Sequence, residues 1–347
     1  METIGLDLHK RESQLCILTD AGTVTEHRIA TTRERFTLFF ATRPRTQILL
    51  EASTESEWVA HHLETLGHDV IVADPTYAPM YATRARRVKT DKRDARTLAE
   101  ACRLRAYRPV HRVSPARSHV RAELAVREAL VRTRTRYIAL AKAFVRRDGL
   151  RVRSGESRLA AEHIAALELS ERLAAELRPL FAVLPSINAQ ITAADQRIAG
   201  FAAADPSVTL LATMPGIGPI TASAVVATAD DIGRFASAHH FEAFLGLVPS
   251  ERSSGEKRRI GRITKAGNTR VRYLLVEAAW RILRSKRPET AALRAWALTI
   301  AARRGKRVAV VALARRLAGI LYAMWRDNRP YDPTQLRMPR PKLAATG

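Results

Sequence analysis

Short apolar runs broken by tight turns dominate the start of the chain. Residues 3–8 read as a strand, 13–18 as a second, and 23–29 as a third, with Asp20-Ala21-Gly22 as the turn between the last two. Connections this short make neighbouring strands antiparallel. Residues 32–41 carry helical spacing, and 47–52 (QILLEA) form a strand. Residues 57–66 are helical, and 69–73 (DVIVA) form a strand ended by Asp74-Pro75. A further helix starts near Thr90. Three antiparallel strands followed by strand, helix, strand and helix predict a five-stranded mixed sheet with flanking helices.

The period then lengthens. Val120, Leu124, Leu130, Tyr137, Ala141, Phe144 and Val145 recur at helical spacing. So do Leu173, Leu177, Leu180, Leu184, Ile187, Ile191 and Ile198. The two runs predict a long helical hairpin or coiled-coil arm, with Asp148-Gly149 as a break. Pro185 predicts a kink or a fresh helix start. Beyond residue 205 the pattern is compact and helical again, and 338–347 form a Pro- and basic-rich tail. The fold class expected is α/β plus all-α. It divides into an α/β domain over 1–115, a helical arm over 116–205, a helical domain over 206–330 and a disordered tail over 331–347. No internal repeat is visible.

Composition narrows the partner. The chain has 347 residues, 58 Lys and Arg against 34 Asp and Glu, and a net charge of +24. Such an excess favours a polyanion, most often nucleic acid. A polybasic membrane-binding protein would need an amphipathic anchor or a spanning segment. No run of roughly 18 or more apolar residues exists, and Met1 leads directly into a strand containing Asp7. A cytoplasmic location is expected. Two cysteines, Cys16 and Cys102, exclude a disulfide framework and a cysteine-based zinc finger. Both sit among apolar neighbours and read as core thiols. A hydrophobic content of 46% rules out a disordered polybasic tail. The first helical run is laden with arginine, including Arg117, Arg121, Arg127, Arg132, Arg134, Arg136, Arg146, Arg147, Arg151 and Arg153. With few acids beside them, phosphate contact is expected rather than a merely solvated face.

Four acids occupy odd places. In the first strand Ile4, Leu6 and Leu8 alternate with Gly5, Asp7 and His9. A carboxylate inside a short apolar strand is costly unless paired or bound to a cation. Glu51 repeats the oddity within Ile48-Leu49-Leu50-Glu51-Ala52. Asp91 and Asp94 then fall on one face of the helix that begins near Thr90. Singly, each has an ordinary explanation: Asp7 as a turn residue, Glu51 as a helix cap, Asp91 and Asp94 in surface ion pairs with Lys92, Arg93 or Arg96. Together, in this order, they read as hard oxygen ligands for Mg²⁺ or Mn²⁺. Paired ions of this kind are the usual device for phosphodiester chemistry.

The C-terminal half adds Met214-Pro215-Gly216-Ile217-Gly218-Pro219, a turn that opens a helix and looks like a helix–hairpin–helix. Gly216 and Gly218 could offer backbone N–H groups to a phosphate, or the hairpin could serve only as packing. Further on, Ser253, Ser254 and Gly255 lie among Arg252, Lys257, Arg258, Arg259, Arg262 and Lys265. So many cations could stabilise a serine alkoxide and a phosphoryl transition state. No local feature names a general base; His239 and His240 are candidates by proximity.

These motifs carry a resemblance. Gly5-Leu6-Asp7-Leu8-His9-Lys10, Leu50-Glu51-Ala52-Ser53 and Lys89-Thr90-Asp91-Lys92-Arg93-Asp94-Ala95 resemble the acidic motifs of the DEDD transposases of the insertion-sequence one-ten family. Gly246-Leu247-Val248-Pro249, Ser254-Gly255, Ile263-Thr264-Lys265-Ala266-Gly267 and Arg270-Val271-Arg272 resemble that family's C-terminal domain. The predicted element order is also that of ribonuclease-H-like nuclease domains, to which the family's RuvC-like domain belongs. The resemblance implies that Asp7, Glu51, Asp91 and Asp94 bind the metal, and that Ser254 is the nucleophile with Ser253 its nearest rival. It further implies DNA cutting and rejoining through a phosphoserine link, a structured noncoding guide RNA, and a composite site between protomers of a homodimer or homotetramer. Nucleic-acid contacts are expected at Lys10, Arg132, Arg134, Arg136, Gly216, Gly218, Arg258, Arg259, Arg262, Lys265, Arg270 and Arg272. Two other readings stay open: a junction-resolving or other metal nuclease without serine chemistry, and a non-catalytic nucleic-acid-binding protein.

Overall fold

Three consecutive antiparallel strands begin the structure, a computed structural model that describes residues 2–81, 90–251 and 260–336. They are β1 (Glu2–Leu8), β2 (Glu12–Thr19) and β3 (Val24–Ala30), followed by α1 (Arg33–Phe40). Then come β4 (Gln47–Glu51), α2 (Ser56–Thr65), β5 (Asp69–Ala73) and α3 (Asp91–Leu104). The five strands order as β3-β2-β1-β4-β5. β1 runs antiparallel to β2 and parallel to β4, with Leu6 opposite Leu50. This is the expected mixed sheet of a ribonuclease-H-like α/β fold.

Strand parity sorts the two faces. Ile4, Leu6, Leu15, Ile48 and Leu50 are fully buried against Phe36, Phe40, Val59 and Leu63, so α1 and α2 cover one face. The other face carries Cys16 and Leu49, and packs Ala95, Leu98, Ala99, Ala101 and Cys102 of α3. Both cysteines are buried free thiols. Thr32 and Thr90 cap α1 and α3 by accepting from the N–H groups of Arg35 and Arg93. Each cap satisfies one of the orphan donors of a first helical turn.

The chain separates into two compact units, Met1–Arg112 and Val113–Gly347. The second opens with α4 (Pro115–Arg147), which is started by Ser114 and Pro115. After the short α5 (Ala160–Ala165) comes α6 (Glu171–Ala204), which pairs with α4. Ala141, Val145, Ile164, Leu173 and Leu177 form one core of the hairpin; Ile138, Ala160 and Leu184 form a second. α6 runs unbroken through Pro179 and Pro185, so no helix starts at Pro185. An interior proline costs about 3 kcal/mol. The buried face from Leu173 and Leu177 through Leu184, Ile187, Ile191 and Ile198 offsets that cost by holding the helix on α4.

The remaining helices are α7 (Pro206–Ala212), α8 (Pro219–Ala229), α9 (Ala238–Phe244), α10 (Thr269–Arg284), α11 (Ala291–Arg304) and α12 (Lys306–Arg326). They enclose one large core around Val225, Val226, Leu275, Leu313 and Leu317. α12 is long and apolar enough to cross a membrane by length and composition, but its face from Leu313 to Leu321 is buried in this core. An antiparallel pair, β6 (Pro249–Glu251) and β7 (Ile260–Ile263), was not expected from the helical pattern. The strands are too short and polar to show a period. The tail expected from residue 331 is packed as far as Leu336. The Tyr331 N–H donates to Thr213 (3.0 Å), its hydroxyl donates to the Glu289 carbonyl (2.9 Å), and Leu336 lies on the helical core.

Candidate active site

Asp7 and Glu51 stand at the carboxyl ends of the neighbouring parallel strands β1 and β4, and the odd-numbered parity of Gly5 and Leu49 places both on the α3 side. Asp91 and Asp94 occupy the first turn of α3. Gly5 brings the two elements together. A Cβ at this position would stand 2.0 Å from the Ala95 carbonyl oxygen and 2.3 Å from the Ala99 nitrogen. No residue with a side chain allows α3 to cross β1 so closely.

The resulting cluster is electrostatically crowded. The Asp7 carboxyl is pushed up to about 6, first by burial, then by the neighbouring charges of Asp94, Glu51 and Asp91, while His9 opposes the shift. His9 Nε2 lies 3.3 Å from Asp7 Oδ2 and 3.5 Å from Asp91 Oδ1. Ligand atoms of Asp7, His9 and Asp91 all fall within 4.8 Å of one another. Glu51 Oε1 accepts a 2.6 Å hydrogen bond from the Tyr81 hydroxyl. Asp7 and Asp91, brought together with His9, offer oxygen donors that fit a hard divalent cation, while Glu51 and Asp94 act on the Asp7 charge but are not part of that close group.

Three of the ordinary explanations for the acids do not match the structure. Asp7 lies within β1 rather than in a turn, and the N-cap of α2 is Glu55, not Glu51. Lys92 pairs with Glu26 at 3.3 Å and Arg96 with Glu100 at 3.2 Å, so neither turns back to Asp91.

His9 and Tyr81 were missed in the sequence. His9 has a signal, since it shares the strand face of Asp7 two residues on. Tyr81 has none. It ends a short 3-10 turn (Ala78–Tyr81) that Met80 anchors against Leu49 and Leu98.

The expected nucleic-acid residues fall into different situations. Lys10, Arg136, Arg262 and Lys265 are exposed. Arg132 is exposed but pairs with Glu128, which also takes Arg270. Arg134 donates to Asn188 Oδ1 at 3.2 Å, and burial lowers its pKa. Arg127 and Arg197 bridge the hairpin to Asp195 and Glu123. Part of the arginine stripe therefore serves the arm itself. Arg272 donates to the carbonyls of Leu245 (3.0 Å) and Ala266 (3.5 Å).

Gly216 adopts φ +89° and packs on Ile282, while Gly218 caps α8. Gly216, with Pro215, Arg281, Ser285 and Arg287, lines a groove of about 220 Å³. His239 Nδ1 lies 3.4 Å from Arg315 Nη2, and Arg315 bonds Glu242; the His240 N–H is capped by Ser237. Ser253, Ser254, Arg258 and Arg259 lie outside the described residues. The segments on either side are fixed to each other. Thr264 N–H donates to the Val248 carbonyl (2.9 Å) and Lys265 N–H to the Gly246 carbonyl (3.1 Å).

Known proteins resemble this sequence along nearly the whole chain. Residues 4–147 match the DEDD group of IS110 transposases, and residues 208–294 match the family described as "Transposase IS116/IS110/IS902 family". A Pseudomonas aeruginosa protein described as "Probable family 20 transposase" is 33% identical over 96% of this chain and 99% of its own length. This chain belongs to the IS110 family of transposases. The transposase for insertion sequence element IS1111A of Coxiella burnetii is 28% identical over 95% of this chain and 91% of its own. The one for IS1328 of Yersinia enterocolitica is 29% identical over 92% and 96%. As an insertion-sequence transposase, the chain is a DNA-cleaving and rejoining enzyme whose partner is DNA. DEDD membership implies divalent-metal dependence, and the matched region 4–147 contains Asp7, Glu51, Asp91 and Asp94.

Proposed function

We propose that this transposase holds Mg²⁺ or Mn²⁺ on Asp7, Glu51, Asp91 and Asp94, and uses Ser254 as the nucleophile on DNA. The observation that carries the metal reading is the approach of Asp7, His9 and Asp91, whose ligand atoms lie within 4.8 Å of one another, with the charges of Asp94 and Glu51 also acting on Asp7. Acids of one sign are not kept together by their own chemistry. A bound divalent cation would offset their repulsion, neutralise phosphate oxygens and promote deprotonation of the attacking oxygen.

The residues of the chain then divide the work. Asp7 and Glu51, on the rigid ends of β1 and β4, fix the position of the site, and Asp91 and Asp94 close it from α3. The Ser254 hydroxyl gives up its proton as its Oγ–P bond forms. The bond from phosphorus to the sugar oxygen breaks, and that oxygen takes a proton. Attack by the sugar hydroxyl of a partner strand reverses the exchange and frees the serine. The number of phosphoester bonds is unchanged, so no nucleotide triphosphate is consumed. Ser254 lies within the matched region 208–294, in a stretch whose flanks β6 and β7 pair. Exposed Arg262 and Lys265 support a phosphate path beside it. The net charge of +24 leaves room for a second polyanion, in keeping with a structured guide RNA, and the family resemblance supports a homodimer or homotetramer.

The test is a denaturing gel. The full chain is incubated with labelled DNA spanning the joined element ends, a target duplex, RNA transcribed from the flanking noncoding sequence, and Mg²⁺. A protein-linked DNA band that vanishes with Ser254→Ala, with Asp7→Ala and with EDTA supports the reading. Cut DNA without a linked band, unchanged by Ser254→Ala, makes the enzyme a hydrolytic nuclease. Binding that ignores EDTA, with no cutting, makes it non-catalytic.

A further inference from the structure

The Tyr81–Glu51 contact joins two residues that the sequence keeps apart, and it reaches directly into the acidic cluster. β5 ends at Ala73, and Asp74 turns the chain. Its carboxylate accepts from the Thr76 N–H (2.9 Å) and hydroxyl (2.7 Å) and pairs with Arg108. These bonds hold the Asp74 carboxyl near 2, well below its ordinary value, with the Thr76 bonds contributing most. The turn feeds a short 3-10 segment whose Met80 is 1% exposed, packed with Leu49, Leu98 and Cys102. Tyr81 is thereby set against the same apolar cluster, with its ring partly buried and its hydroxyl 2.6 Å from Glu51 Oε1.

A glutamate side chain on a strand end has three rotatable bonds, and among other carboxylates its charge drives it outward. A short phenol-to-carboxylate bond opposes both effects. It occupies one lone pair of Oε1 and leaves Oε2 free to turn toward Asp7. Such outer partners orient ligating carboxylates and commonly set ion affinity.

We infer that Tyr81 is a positioning residue of the metal site: its hydroxyl fixes the rotamer of Glu51 so that the free carboxylate oxygen meets the cation. The inference rests on the reading of Asp7, Glu51, Asp91 and Asp94 as metal ligands. It predicts that the hydroxyl, not the ring, carries the effect.

The experiment uses the full chain and Mn²⁺ alone. Mn²⁺ affinity is measured by the paramagnetic signal of the free ion, and the Mn²⁺-induced rise in melting temperature is recorded for each variant against its own metal-free state, so lost packing cancels. The parent, Tyr81→Phe, Tyr81→Leu and Asp7→Asn are compared. Tyr81→Phe, which keeps the ring, should bind Mn²⁺ about 10-fold or more weakly, and Tyr81→Leu should bind no better. Asp7→Asn should lose binding altogether. Parent-like Mn²⁺ affinity in Tyr81→Phe, with binding lost in Asp7→Asn, overturns the role of Tyr81 and leaves the metal site standing. Affinity restored by Phe but lost with Leu assigns Tyr81 to packing and overturns it equally. Binding that survives Asp7→Asn overturns the metal-site reading and this inference with it.

Discussion

Gly5 and Ala95 meet backbone to backbone: a Cβ added to Gly5 would stand 2.0 Å from the Ala95 carbonyl oxygen. Through this contact a bare position in β1 decides where α3 lies, and with it where Asp91 and Asp94 meet Asp7. Neither partner can yield, because Ala95 and Ala99 are themselves fully buried. Gly5→Ala should therefore destabilise by about 3 kcal/mol or more. Thermal unfolding followed by circular dichroism checks this. A melting temperature equal to that of the parent would mean that α3 is free to shift outward.

The crowding of Asp7 makes stability depend on pH in a direction opposite to that of a salt-bridged acid. Its carboxyl titrates near 6 when folded, against an ordinary value of 3.8. Between these values the folded chain holds more protons than the unfolded one, so stability falls as pH rises from about 4 through about 6. The loss is on the order of 2–3 kcal/mol for this group, whose side chain is 16% exposed. Denaturant titrations of metal-free protein at pH 4.5 and 7.5 (about the two ends of the window) measure it. Asp7→Asn should flatten the difference, and Mg²⁺ should stabilise the parent more at the upper pH than at the lower.

Two arginines and a lysine of the C-terminal half should separate by assay. Arg272 serves the carbonyls of Leu245 and Ala266, so Arg272→Ala should lower the melting temperature, costing about 1–3 kcal/mol. Arg262 and Lys265 are exposed, so their alanine variants should melt as the parent does. Each should instead reduce the salt dependence of DNA binding by about one unit of slope. Binding isotherms over a range of salt concentrations distinguish the two behaviours.

Two more glycines hold the segments that flank Ser254. Gly246 (φ +68°) faces the Ala266 carbonyl, and Gly267 (φ +90°) faces the Phe244 carbonyl; a Cβ on either would sit 1.9 Å from its oxygen. Gly246→Ala or Gly267→Ala should cost both stability and DNA strand cleavage. Ser253→Ala should spare cleavage where Ser254→Ala removes it. Melting curves and the covalent-adduct gel report the two effects independently.

Much of the first unit was legible because strand parity is visible in a linear pattern. Ile4, Leu6, Ile48 and Leu50 announced one buried face, and Asp7 and Glu51 stood out as exceptions on the other. The meeting of Asp91 and Asp94 with these two was carried by order and resemblance, since the Gly5–Ala95 approach is a through-space fact. Tyr81 could not be found, because nothing in its local spacing marks a hydroxyl that reaches a strand end 30 residues earlier. Charge counted along α4 takes no account of the Asp195 carboxylate that α6 brings to Arg127, or of the Asn188 amide oxygen that it brings to Arg134. The fresh helix start that Pro185 allowed for is absent for a related reason, since local propensity at one residue yields to a long buried face. The β6–β7 pair was hidden by its brevity.

Asp7, Glu51, Asp91 and Asp94 should together hold one divalent cation. Crystals of the full chain soaked in Mn²⁺ and measured at an anomalous-scattering wavelength test it most directly. Anomalous density enclosed by these four side chains is expected, with carboxylate oxygens at about 2.0–2.2 Å. Mn²⁺ bound elsewhere, in protein that still cleaves DNA, would contradict it.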